Sequence, residues 1–231
     1  LHAKGLTAKQ FRSLLGFAQS PWFPDTVADI EAVIEIREFD ALESRFRMQT
    51  RTLKIGDARR SSAVQHITMN GSARWTTEQF QVHINRLQSK FPGLDLSGTL
   101  TQPAAPAHIT LSVAGSVADL TGIRNILLKL SGEIPVLKTI CDIVQGGSIP
   151  FVKVLHSAPT WKALSNMENL RVEAHLNNGR IQVPPELFLL EKVQGKVIWT
   201  KGRLLGEAIS ARLGNSTTRS GTLTLGLADG S

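Results

Sequence analysis

The stretch HLNNGRIQVPPELFLLEKVQGKVIWTKGRL, from His175 to Leu204, alternates apolar and polar residues in short segments separated by turn signals. Asn178-Gly179 interrupts the alternation once, and Pro184-Pro185 interrupts it again. A period of two is typical of strands with one buried face and one wet face. Asn-Gly between such segments predicts a tight hairpin turn with a positive φ angle. This part of the chain is therefore expected to form antiparallel β-structure.

The pattern of the 231-residue chain changes twice along its length. A capping pattern at Thr7 and Gln10 predicts a first helix, whose apolar face comprises Phe11, Leu14, Leu15 and Ala18. Period-two segments then run from Ile30 to Val113 and predict an antiparallel meander. Three helical segments are predicted between residues 119 and 168, on the apolar spacings Leu120-Ile123-Leu127-Leu130 and Ile134-Leu137-Ile140-Cys141-Val144 and in the piece SAPTWKALSNM, Ser157 to Met167.

These patterns predict a mainly β fold with a helical block, of the α+β class. The expected architecture is an extended, curved antiparallel sheet that forms a groove or an open sandwich, with helices covering one end. We divide the chain into residues 1–118 (helix and meander), 119–168 (helical block) and 169–231 (C-terminal hairpins that continue the sheet). Together they are expected to form one continuous module. Since the sequence begins LHAKGLTAKQ, without Met, we interpret it as a piece of a longer protein.

The sequence contains no cluster of residues with which chemistry is usually done. The six His are scattered, the single Cys141 has no nearby His, and no two His have the spacing of zinc ligands. Glu186 and Glu191 flank the Pro-Pro bend and are expected to be solvated. The sequence therefore predicts no catalytic residue, no metal site and no cofactor.

A net charge of +7 suits an acidic partner such as nucleic acid or anionic lipid, and equally suits plain solubility. Arg45, Arg47 and Arg51 share one face of a predicted strand. Sheets that bind nucleic acid usually interleave exposed aromatic residues with basic ones, whereas Phe46 alternates to the opposite face. A nucleic-acid partner is therefore not favoured.

Residues Leu170 to Asp229 resemble the C-terminal region of the AsmA-like family. The likeness rests on an apolar strand, the turn NNGRI, the strand EKVQGKVIW, the turn TKGRL and the hairpin LGNSTTRSGTLTL. It implies part of a large protein of outer-membrane biogenesis, tethered to the inner membrane by an N-terminal anchor and located in the periplasm. Such proteins are thought to carry phospholipid along an apolar β-groove, so the implied partners are an acyl-chain lipid and the rest of the full-length protein.

The resemblance implies that the apolar strand faces form the site and that no residue is catalytic. Arg45, Arg47 and Arg51 are candidates for contacts with anionic lipid head groups. The groove candidates are Val172, Ala174, Leu176, Ile181, Val183, Val193, Val197, Leu223, Leu225 and Leu227. The alternative is a structural or interaction β-sandwich of a large envelope protein, with a filled core and no lipid. The two differ in whether these residues line an open cavity or pack on the helices.

Overall fold

The protein is a single antiparallel meander, in which each strand pairs with the strands before and after it in the chain. The computed structural model describes residues 2–7, 27–37, 41–56, 61–104, 107–130, 135–165, 169–183 and 188–226. Within them one open sheet of twelve strands is accompanied by two short α-helices. The prediction of a mainly β, antiparallel fold is confirmed. The predicted first helix, with Phe11, Leu14, Leu15 and Ala18, lies outside the described residues.

The strands follow one another in chain order, and both helices are inserted between β7 and β8. The strands are β1 His2–Thr7, β2 Val27–Arg37, β3 Ala41–Gly56, β4 Ser61–Thr76, β5 Gln79–Ser89, β6 Leu94–Pro103, β7 Ile109–Val117, β8 Val144–Ala158, β9 Arg171–Val183, β10 Phe188–Thr200, β11 Arg203–Leu213 and β12 Ser216–Gly226. The helices are α1 Leu120–Leu130 and α2 Pro135–Ile143, and a single 3₁₀ turn spans Lys162–Ser165.

One face of the sheet is apolar across ten strands, from β3 to β12. Directly paired residues on neighbouring strands share a face, so the strand register defines rows of side chains. One row is Phe46, Gly71, Ile84, Gly98, Val113, Val154, Val172, Trp199, Leu204 and Leu225. The row beside it is Met48, Met69, Leu87, Leu96, Gly115, Val152, Ala174, Val197, Gly206 and Leu223. Neither row contains a charged residue, and we call this side of the sheet the apolar face.

The opposite side, which we call the wet face, carries mainly polar residues in the same register. Its central row is Arg45, Ser72, His83, Thr99, Ser112, Leu155, Arg171, Thr200 and Arg203. The alternation seen in the sequence thus corresponds to two chemically distinct sides of one sheet.

The predicted helical block is helical only in its first half. Val144–Ala158 is strand β8, because Val152, Val154, His156 and Ala158 repeat with period two and no apolar face of helical period continues past Ile143. The predicted third helix, Ser157 to Met167, is also wrong over its described residues. Ser157 ends a strand, Pro159 follows it, and only the 3₁₀ turn Lys162–Ser165 forms.

The predicted hairpin at Asn178-Gly179 is wrong, although the positive φ is present. Strand β9 runs without a break from Arg171 to Val183, and Asn178 adopts a φ of 52° inside it. The pairing with β10 shifts register between Leu176 and Gly179, which marks a β-bulge. Asn tolerates the left-handed conformation in a bulge as well as in a turn. The dipeptide Asn-Gly alone therefore does not distinguish a β-bulge from a hairpin turn.

Irregularities of this kind recur in the four strands at the C-terminal edge. Each of β9 to β12 contains one residue other than glycine with positive φ: Asn178, Lys192, Ala208 and Ser220. Register shifts accompany them in all three strand pairs. A bulge bends its strand and increases the local right-handed twist. The four strands are therefore interrupted along one band that crosses the sheet.

The main core lies between the apolar face and the helices. Asp119 caps α1, since its Oδ1 accepts a hydrogen bond from the Gly122 N–H at 2.9 Å. Leu120 and Ile123 of α1 pack on the main core cluster, most of whose buried residues belong to β8 to β11. Ile126 belongs to a second cluster with Val64 and Ile67 of β4. The same short helix thus contacts two separate regions of the apolar face.

Candidate functional site

The two helices and the apolar face enclose a cavity of about 130 Å³. Helix α1 contacts β8 and β4, and α2 contacts α1, β8 and β9. The strand side of the wall comprises Val144, Ile149, Val172, Ala174, Leu176, Val197, Trp199 and Leu204. The helix side comprises Leu120, Ile123, Arg124, Leu127, Ile140 and Cys141. Apart from the Arg124 side chain, the Cys141 thiol and the Trp199 N–H, these side chains are purely hydrocarbon, so the cavity suits an apolar group.

The predicted groove residues fall into three groups. Val172, Ala174, Leu176 and Val197 line the cavity together with the helices. Ile181 and Val193 have no exposed surface and belong to the closed core. The residues Val183, Leu223 and Leu225 are partly buried against that core, and Leu227 lies outside the described residues.

Half of the cavity wall was missed by reasoning from strand patterns alone. Leu120, Ile123, Leu127 and Ile140 form the apolar stripes of the two helices, and these stripes were visible in the sequence as helical spacing. What the spacing did not reveal is which strands the stripes cover. Trp199 and Leu204, in the quoted stretch, were missed as well, although Trp199 alternates in phase with Val197 and Leu204 pairs directly with Trp199.

Trp199 is the buried hydrogen-bond donor of the strand wall. Its side chain is 3% exposed, and the indole N–H has no hydrogen-bond partner. An unsatisfied buried donor costs about 1–3 kcal/mol, so an acceptor within reach of this N–H is stabilising. Arg124, by contrast, donates from Nε to the Cys141 carbonyl oxygen at 2.6 Å and so ties α1 to the last turn of α2. Burial raises the pKa of the Cys141 thiol, which keeps this group protonated and unreactive.

The three candidate head-group residues lie away from the cavity. Arg45, Arg47 and Arg51 are exposed on β3 and are not part of the cavity wall. Arg45 and Arg47 alternate with Phe46 and Met48 of the apolar face, which places both of them on the wet face.

The wet face carries ion pairs between neighbouring strands. Lys196 Nζ lies 3.2 Å from Glu173 Oε1 and 3.7 Å from Glu207 Oε2. Lys196 lowers the pKa of Glu173, mainly through their hydrogen bond, and Arg212 lowers the pKa of Glu191 in the same way. These carboxylates are half-buried, remain in contact with solvent and are ionised at neutral pH, so the arrangement provides solvated pairs and no proton donor for acid catalysis.

Another ion pair joins two central strands of the wet face. Arg86 donates two hydrogen bonds to Asp95, one from Nε to Oδ1 at 3.0 Å and one from a terminal guanidinium nitrogen to Oδ2 at 2.6 Å. This contact lowers the pKa of the Asp95 carboxyl, and Gln88 adds a further hydrogen bond at 3.0 Å. The pair links β5 to β6 on the wet side.

Across the described ranges, no three His, Cys, Asp or Glu residues are grouped closely enough to hold a metal ion. Nor does any helix in this part of the chain have the length and hydropathy needed to cross a membrane. The site with a defined geometry is therefore the apolar cavity between the helices and the sheet. No protein-family model, curated protein or solved structure matches the chain.

Proposed function

We propose that this chain is a non-enzymatic module of the cell envelope whose apolar sheet face takes up the acyl chains of phospholipid. The observation that carries the proposal is the pair of uninterrupted apolar rows across ten strands, one from Phe46 to Leu225 and one from Met48 to Leu223. An apolar surface this long and free of charge gives an acyl chain a continuous path with no buried charge to pass.

A curved sheet is part of the proposal, and the contacts of α1 support it. Strands lie about 4.8 Å apart, so β4 and β8 are separated by about 19 Å across a flat sheet. A helix about 10 Å wide that reaches both strands suits a sheet folded around it. Ile126 packs on β4 while its neighbour Leu127 lines the cavity, and adjacent helical residues point about 100° apart. The helix therefore fits the angle between two walls of a groove.

The band of bulges supports the same curvature. Bulges are the usual device by which a sheet bends or begins to close, and they are common at the rims of barrels. The four residues with positive φ in β9 to β12 lie in neighbouring strands, each at a register shift. A bend along this band turns the C-terminal edge, with Leu223 and Leu225, toward the helices.

In this proposal α1 and α2 occupy the groove in the lipid-free protein and are displaced from it when lipid binds. A cavity of about 130 Å³ is slightly smaller than the engineered cavity of about 150 Å³ that holds one benzene molecule. An acyl chain is several times larger, so α1 and α2 must move off the apolar face to admit one. The unsatisfied Trp199 N–H then serves as a donor for an ester or carboxylate oxygen of the lipid.

The place of action follows from the AsmA-like resemblance of residues 170–229. On that basis the module belongs to the periplasm and is joined to a longer protein anchored in the inner membrane. Lipid then moves between inner and outer membrane along its apolar face.

A second candidate is a structural or interaction domain whose apolar face is simply a core. The complete burial of Ile181 and Val193 favours it, since these two groove candidates contact only protein. In this case the helices are permanent parts of the fold and the small cavity stays dry.

Native mass spectrometry of the purified chain, comparing Ala174→Phe with wild type, separates the two functions. Ala174 lines the cavity, and the added ring is close to the size of the space available. Under the lipid proposal, wild type retains phospholipid and Ala174→Phe retains little. The thermal midpoint of Ala174→Phe should equal or exceed that of wild type. Ala114→Phe is the matched control, because Ala114 pairs with Lys153 on the wet face. Lipid-free wild type, or equal retention by both variants, contradicts the proposal.

A further inference from the structure

Two exposed tryptophans lie together with the exposed Leu42 and the half-buried Phe80 at one end of the apolar face. Leu42 pairs with Trp75, Trp75 with Phe80, and Phe80 with Gln102. The Trp75 and Phe80 rings lie 5.6 Å apart, and Trp161 donates from its Nε1 to Gln102 Oε1 at 3.0 Å. We call Leu42, Trp75, Phe80 and Trp161 the aromatic rim.

The aromatic rim is unusually open for residues of this kind. Trp75 is 63% exposed, Trp161 48% and Leu42 43%. Large aromatic residues grouped at a surface indicate a contact with a partner rather than a chance exposure. Because the register places Leu42 and Trp75 on the same side as Phe46 and Gly71, the rim terminates the apolar rows.

The same end of the sheet carries free positive charge. Lys201, in the turn between β10 and β11, and Arg203, the first residue of β11 and part of the wet face, are exposed, and neither forms an ion pair with any residue that the structure describes. Beside the aromatic rim, Arg74 pairs with Glu43 at 3.5 Å, and Glu78 is an exposed acid that forms no ion pair with a described residue. The two unpaired basic residues therefore outnumber this one unpaired acid. The surface that complements this end therefore combines negative charge with an apolar interior.

We propose that the aromatic rim, with Lys201 and Arg203, docks on the surface of an anionic lipid bilayer. Indole rings favour the boundary between head groups and acyl chains, because the ring is apolar and its N–H needs an acceptor. Lysine and arginine are drawn to the negative surface potential of anionic lipid. The inference goes beyond the lipid cavity and does not require it.

Vesicle co-sedimentation tests the docking. Wild type is expected to bind vesicles of phosphatidylcholine mixed with phosphatidylglycerol at least about tenfold better than vesicles of phosphatidylcholine alone. The double variant Trp75→Ala/Trp161→Ala and the double variant Lys201→Glu/Arg203→Glu should each lower binding to the mixed vesicles by about tenfold or more. Phe188→Ala is the matched control, since Phe188 is 50% exposed at the opposite end of β10.

Three results overturn the inference: wild type that sediments with neither vesicle, a tryptophan double variant that binds like wild type, or an equal loss in Phe188→Ala. A melting curve of each variant reports whether the fold is retained. Brominated lipid should quench the tryptophan emission of wild type far more than that of Trp75→Ala/Trp161→Ala, which keeps the buried Trp199. Co-purified lipid is measured in the same samples, so a failure of docking and a failure of lipid uptake are read separately.

Discussion

Gly147 of β8 faces Gly179 of β9 so closely that a Cβ atom added to Gly147 would stand 2.7 Å from the Gly179 Cα. It would also meet the Asn178 carbonyl oxygen at 2.9 Å. Both neighbours are backbone atoms, which cannot turn aside as a side chain can. Gly147 itself has a φ of 115°, which side chains of L-residues rarely adopt. The bulge at Asn178 and the close approach of β8 thus depend on each other.

Gly147→Ala should lower the free energy of unfolding by about 2 kcal/mol or more, because steric overlap adds to backbone strain. Gly202→Ala is the control: Gly202 also has positive φ, 72°, but nothing lies within 4 Å of an added Cβ. Strain alone should make that change cost about 1 kcal/mol. Urea denaturation of both variants measures the difference. Equal losses would show that the approach of the two strands is relaxed in solution.

The strand content was predictable because period two is a local property. Ile67, Val82 and Val113 alternate with polar residues, and their segments became β4, β5 and β7 of the meander. The hairpin at Asn178-Gly179 failed because a bulge and a turn present the same local residues. Only the pairing of β9 with strands on both sides decides between them, and this is information from distant parts of the chain.

The second half of the helical block failed for a related reason. Gly146-Gly147 follows the second helical spacing directly, and in sequence this position resembles a helix stop signal. The glycines instead lie at the start of β8, where close packing against β9 excludes a side chain at Gly147. The alternation of Val152, Val154 and His156 was visible in the sequence. It was outweighed by the helical spacing on either side.

The candidate site was predictable on its strand side only. Val172, Ala174, Leu176 and Val197 were named from their alternation, and all four line the cavity. The helix side depends on where α1 and α2 lie against the sheet, and no local pattern encodes that placement. Helical spacing identifies an apolar stripe, whereas the strand that it covers is set by tertiary packing.

Acid should destabilise the fold through the ion pairs of the wet face. The folded-state pKa of Asp95 is lowered by its hydrogen bonds to Arg86, and those of Glu173 and Glu191 are lowered by Lys196 and Arg212. A lowered folded pKa means that the stabilisation is present above the unfolded pKa, about 4, and is lost as pH falls through the folded pKa.

The thermal midpoint of wild type should therefore fall as pH drops below about 5, and it should fall less in Asp95→Asn. The variant starts from a lower midpoint at neutral pH, because it has already lost the charged pair. Glu78→Gln is the control, since Glu78 is exposed and forms no ion pair with a described residue. Parallel curves for wild type and Asp95→Asn would mean that the Arg86 contact is not maintained in solution.

Cys141 offers a direct measure of whether the helices leave the apolar face. Its side chain is 3% exposed and lines the cavity, and burial raises the pKa of its thiol. A thiol reagent should therefore label the lipid-free protein slowly. Phospholipid should speed the labelling by about tenfold or more if α2 moves away to admit an acyl chain. A rate that lipid leaves unchanged, in a protein that retains lipid, would contradict the movement.

The control for that rate is a cysteine on the wet face. Ser97→Cys in a Cys141→Ser background places the thiol at an exposed position of β6. Its labelling should be fast and independent of lipid. A lipid effect on this exposed thiol would indicate that the lipid acts on the reagent.

Leu204 and Leu225 face each other across β11 and β12 and provide a matched pair for the lipid proposal. Leu204 is 5% exposed and lines the cavity, whereas Leu225 is only partly buried, on the edge strand. Leu204→Asp buries a carboxylate without a partner and should cost about 3 kcal/mol or more. Leu225→Asp leaves the carboxylate within reach of water at the sheet edge, so its thermal midpoint should stay close to that of wild type.

The two variants should also differ in what a lipid assay reports. In Leu225→Asp, an acyl chain laid along the apolar rows meets a charge at their end, and transferring that charge out of water is costly. We therefore expect a folded protein that has lost most of its co-purified phospholipid, measured by native mass spectrometry beside the melting curve. A collapsed thermal midpoint in Leu225→Asp would place this residue in a filled core and favour the structural domain. If Leu225→Asp instead keeps both the thermal midpoint and the lipid retention of wild type, β12 does not contact the lipid.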